Sequence, residues 1–109
     1  MGRVITVTLT GIALALSIPM TVLAHVQVTP ESAQPNEFVV FSVSIPNERS
    51  TSVTHIRLET PTNLRFVTPT TTAGWSIETT GDKTITAIDW EGQIPVGQRA
   101  ELSFQAQVP

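Results

Sequence analysis

Two histidines, nine carboxylates and no cysteine set the chemistry open to this chain. His25 is the more suggestive histidine, because it directly follows the small-residue site Val22-Leu23-Ala24. A chain beginning at His25 offers two nitrogens from one residue, the free α-amine and the imidazole, and these can close a small chelate ring on a metal ion. Nitrogen-rich sites of this kind favour Cu(II), by the Irving–Williams order and by copper's preference for tetragonal nitrogen and oxygen ligands. The amine's ordinary pKa of about 7.7–8.0 makes its proton easy to displace. Carboxylate or water oxygens would complete the set. Glu31 is close in sequence, while Glu59 and Glu78 lie on segments that can sit beside the first strand; the choice among the three stays open. His55 is a candidate second ligand if the first strand pairs near it. The lack of cysteine excludes thiolate sites for zinc or Cu(I).

The His25 site needs a cut before it, and the preceding segment reads as a secretory signal. Arg3 supplies a positive start, Val4 to Leu16 is an apolar run of signal length, and Pro19 breaks it shortly before Ala24. Residues 1–24 are thus expected to be a signal peptide and residues 25–109 the mature domain. Its 85 residues make one small domain with a modest core. Five Lys or Arg against nine Asp or Glu give it a formal balance of −4. There is no basic cluster, so nucleic acid is not an expected partner. No mature apolar run approaches the roughly 20 residues needed to span a bilayer. The expected location is periplasmic, cell-envelope or extracellular.

The elements that must hold these residues are strands. Threonine and valine abound, prolines and glycines recur, and no stretch shows a helical period. His25 to Thr29 reads as a first short strand. Glu37 to Ile45 alternates most clearly, with Val39, Phe41, Val43 and Ile45 facing inward. Val53 to Glu59 sends Ile56 and Leu58 inward and Val53, His55, Arg57 and Glu59 outward. Leu64 to Val67 and Trp75 to Thr79 are shorter. Thr84 to Trp90 follows a turn at Gly81-Asp82, with Asp89 on the side of Ile85 and Ala87. Ala100 to Val108 turns Leu102, Phe104, Ala106 and Val108 inward. Both tryptophans read as core, Trp75 the more exposed. Strands separated by turns at this spacing predict an all-β, immunoglobulin-like antiparallel β-sandwich. The last strand ends at the last residue, so the sandwich is expected to lack its final edge strand and to leave a pairing edge open.

The segments His25-Val26-Gln27-Val28-Thr29-Pro30, Phe41 to Glu48, Thr54 to Pro61, Ala73-Gly74-Trp75, Ile88-Asp89-Trp90, Gly92 to Gly97 and Leu102-Ser103-Phe104 occur in an order that resembles the YcnI-like family of exported bacterial copper-binding domains. The resemblance covers nearly all of the mature chain. It implies an immunoglobulin-like fold and a Cu(II) site on the mature N-terminal histidine, a one-histidine form of the histidine brace. Only His25 maps onto the family's metal motif. The family's copper-proximal tryptophan lies on a strand beyond Pro109, so Trp75 and Trp90 do not inherit that role. Implied partners are the copper ion, other envelope copper carriers and a membrane copper importer. An enzyme is not expected: the two histidines lie in no nucleophile context, and no glycine-rich phosphate loop is present. A CopC-type carrier would bring further histidines or methionines, whereas Met1 and Met20 go with the signal. The competing reading, of another class, is a metal-free immunoglobulin-like module for protein interaction or adhesion, suggested by the exposed threonines and the open edge.

Overall fold

A computed structural model describes residues 3–8 and 26–109. Eight strands follow one another: β1 (Arg3–Thr8), β2 (Gln27–Thr29), β3 (Phe38–Pro46), β4 (Val53–Glu59), β5 (Arg65–Pro69), β6 (Ser76–Thr80), β7 (Ala87–Ile94) and β8 (Arg99–Gln107). They form two four-stranded sheets, ordered β1-β4-β7-β6 and β2-β3-β8-β5. Every pairing is antiparallel except that of β1 with β4, which is parallel. The fold is the all-β sandwich expected, and β8 lies inside its sheet with β3 and β5 on either side.

Period-two patterning explains the core. Val39, Phe41, Val43 and Ile45 of β3 oppose Ala106, Phe104, Leu102 and Ala100 of β8. Phe41 and Phe104 stack with ring centroids 5.2 Å apart. From the other sheet come Ile56 and Leu58 of β4, set opposite Trp90 and Ile88 of β7. All of these except the half-buried Ala100 are buried. Fully burying each large side chain is worth roughly 1.5–3 kcal/mol, so the seam between the sheets carries most of the stability.

Two expectations are corrected. Val53 is buried rather than outward, because the register of β4 against β7 shifts between Val53 and His55 and the bulge resets the alternation. The strand expected over Thr84 to Trp90 runs instead from Ala87 to Ile94, since Gly81 takes a φ of 121° and the bond from Thr86 N to Thr80 O, 2.8 Å, closes the hairpin late. Asp89 faces out, opposite Arg57 and Glu78. Strand β1 falls inside the segment read as a leader, and its Ile5 joins the core beside Ile56.

Two details lock the loops. Buried Asn47 donates through Nδ2 to Thr51 O (2.9 Å) and Ile94 O (2.8 Å), while its Oδ1 accepts from Arg49 N (2.9 Å). Half-buried Trp75 lies against the backbone of Gly92, where an added Cβ would overlap the indole.

Candidate metal centre

His25 lies outside the described residues, so the structure describes what its strand reaches. Val26 is buried, and among the described residues β2 pairs with β3 alone: Gln27 opposite Ser44, Val28 opposite Val43, Thr29 opposite Ser42. Across β3, Ser44 faces Glu101 of β8. Arg99 reaches both, with Nη1 donating to Ser44 Oγ at 3.3 Å and Nη2 lying 3.6 Å from Glu101 Oε1. Gln27, Ser44 and Glu101 are thus aligned across β2, β3 and β8, with Arg99 beside the last two.

The carboxylates singled out from sequence do not gather there. Glu31 follows Thr29 and Pro30, at the opposite end of β2 from His25. Glu59 and Glu78 belong to β4 and β6, in the other sheet, so neither strand sits beside β2. Glu59 stands 3.6 Å from Arg57 Nε. Among the described residues, no three His, Cys, Asp or Glu side chains come together as a metal cluster.

His55 is also occupied elsewhere. Its strand neighbours are β1 and β7, and its Nε2–H donates to Asp89 Oδ1 at 2.6 Å in the tautomer that carries the proton there. Arg57 Nη1 donates to the second oxygen, Asp89 Oδ2, at 2.7 Å. The Asp89 side chain is only 14% exposed, so two charge-assisted contacts hold a carboxylate that would otherwise be poorly hydrated. This cross-strand cluster was not legible beforehand: alternation places His55 and Arg57 on one face, but only the register brings Asp89 opposite Arg57. The cluster binds β4 to β7, in the sheet that does not hold β2. Trp90 is buried with Nε1 lacking a partner among the described residues.

The family model described as a domain of unknown function (DUF1775) matches residues 25–109. No curated protein matches the chain. Among solved structures, an uncharacterized protein from Nocardia farcinica with an immunoglobulin-like fold aligns with a TM-score of 0.66 at 17% sequence identity, over 74% of this chain and 64% of that one. The chain thus spans less than two thirds of that protein's length. At this identity the likeness establishes the immunoglobulin-like fold.

Proposed function

The chain belongs to the DUF1775 family, that of the YcnI-like domains it resembles, and from that membership we propose that it is an exported domain that carries Cu(II) on its mature N-terminal histidine. The observation that carries the reading is the position of His25. It follows a signal-type segment and Ala24, and the family match begins at that same residue. Cleavage after Ala24 would give the α-amine and imidazole one shared metal. The copper is cargo, held in the envelope for buffering or transfer to a carrier or importer. Glu59 and Glu78 lie in the other sheet, whereas Glu101 of β8 stands in register with Gln27 across the intervening β3 and is a candidate oxygen donor in the sheet of β2.

The test has two steps. Mass spectrometry of the exported protein should place its N-terminus at His25. Cu(II) titration followed by electron paramagnetic resonance should then give one tight, nitrogen-ligated equivalent, lost when a single residue is inserted before His25. Equal, weak binding by both forms would sink the copper reading and favour the metal-free interaction module.

A further inference from the structure

A second site lies on the opposite flank of the sheet that holds β2. Between β5 and the loop joining β6 to β7 is a cleft of about 240 Å³, lined by Arg65, Phe66, Val67, Lys83, Thr84 and Ile85. Its floor is apolar: Val67 is buried and Ile85 packs against the core. Its rim is cationic. Arg65 and Lys83 are two of the five cations from His25 onward, in a segment that is net acidic, and no lining residue carries a carboxylate. Arg65 touches Asn36 Oδ1 at 3.3 Å, and neither cation forms an ion pair among the described residues.

The backbone is bent to make this rim. Phe66 has a φ of 54°, in the left-handed region that a bulky side chain seldom enters, and the register of β5 against β8 shifts between Arg65 and Thr68. The irregularity presents two consecutive residues to solvent, a cation and an aromatic ring, where regular alternation would have turned one inward. Such strain persists only where the surroundings enforce it, and it gathers at binding sites. Phe66 is 68% exposed and stacks on Phe38, itself 54% exposed, at 6.0 Å. Val40, two residues along β3, is 61% exposed and extends the apolar strip beyond the cleft.

We propose that this cleft binds a small amphipathic carboxylate, its chain lying on Phe66, Val67 and Ile85 and its head group between Arg65 and Lys83. The planar guanidinium suits a carboxylate head, and the volume suits a ligand smaller than the usual drug-sized one. The apolar floor argues against a fully hydrated anion, and the unpaired cations argue against an uncharged one. This inference stands apart from the copper reading, since the cleft and β2 lie at opposite edges of their sheet.

Decanoate is a suitable probe, titrated into the isotope-labelled full chain and, in parallel, into the form beginning at His25, with amide resonances followed by nuclear magnetic resonance. Decanol and acetate serve as the uncharged and the chainless controls. Decanoate should shift Phe66, Val67, Lys83 and Ile85, with each control at least about tenfold weaker. The pair Arg65→Ala and Lys83→Ala, and separately Phe66→Ser, should each weaken decanoate by about tenfold or more; all three positions are surface ones, so the spectra also report that the fold is kept. Decanol binding as tightly as decanoate would reduce the cleft to a greasy patch and overturn the proposal. Acetate binding as tightly would reduce it to a general anion contact, with the same consequence. Shifts confined to residues outside the cleft would also overturn it.

Discussion

Replacing Asn47 by alanine should be among the most damaging single changes that leave the apolar core untouched. The side chain is 3% exposed and makes three hydrogen bonds to backbone groups, two in its own loop and one at the end of β7. Alanine removes all three while sparing the two main-chain bonds of residue 47, from its own N to Gln98 O and to its O from Gly97 N. The bond to Ile94 O is fully buried, so leaving that carbonyl without its donor costs about 1–3 kcal/mol. The other two are part-buried and worth about 0.5–1.5 kcal/mol each. The loss should come to about 2–6 kcal/mol, each kcal/mol lowering Tm by roughly 4–8 °C for a domain of this size. Urea unfolding with an unchanged slope, read by tryptophan fluorescence, would measure it. Asn47→Asp is the sharper companion. It keeps the shape and the acceptor for Arg49 N, but turns an oxygen toward the carbonyls of Thr51 and Ile94, so it should cost at least as much as alanine. An aspartate variant as stable as the parent would show that the site rewards shape alone and refute the reasoning.

Gly92→Ala should destabilise by about 1–3 kcal/mol, because the new methyl meets the Trp75 ring, and near-ultraviolet circular dichroism should report the displaced indole. Asp89→Asn should cost about 1–2 kcal/mol in chemical unfolding, since Arg57 and His55 lose an ionised acceptor that is itself largely buried. Phe104→Ala, which empties the site against Phe41, should cost about 3–5 kcal/mol. His55→Gln should leave the stoichiometry of Cu(II) bound at the N-terminus unchanged in a calorimetric titration, because His55 is held by Asp89 on the other sheet.

Alternation made the inner faces of β3 and β8 legible, because Val39 to Ile45 and Leu102 to Val108 keep an unbroken period of two. It failed at Val53, where the register of β4 against β7 slips by one residue and the composition gives no warning. It also failed at Thr84 to Thr86, whose β-branched side chains suit a strand but whose backbone is still closing a turn. Sheet membership was beyond local patterning altogether. Whether β2 lies beside β4, β6 or β3 depends on long-range pairing, and that pairing separates Glu59, Glu78 and His55 from the strand that follows His25. The exposed Phe66 was hidden for a related reason: its outward turn comes from a backbone conformation that its side chain does not favour.

Strand β1 makes the number of neighbours that β4 has depend on the length of the chain. With Arg3–Thr8 in place, β4 is flanked by β1 and β7. A chain cut after Ala24 keeps β4 and loses the first of these, so the main-chain groups from Val53 to Glu59 become a rim open to another strand, and the seat of Ile5 beside Ile56 opens with it. Such rims recruit further chains unless charge guards them, and His55, Arg57 and Glu59 stand at alternate positions along this one. Proteolytic maturation would then alter the valence of the molecule as well as its terminus, turning a unit closed on that side into one with a vacant place for a partner.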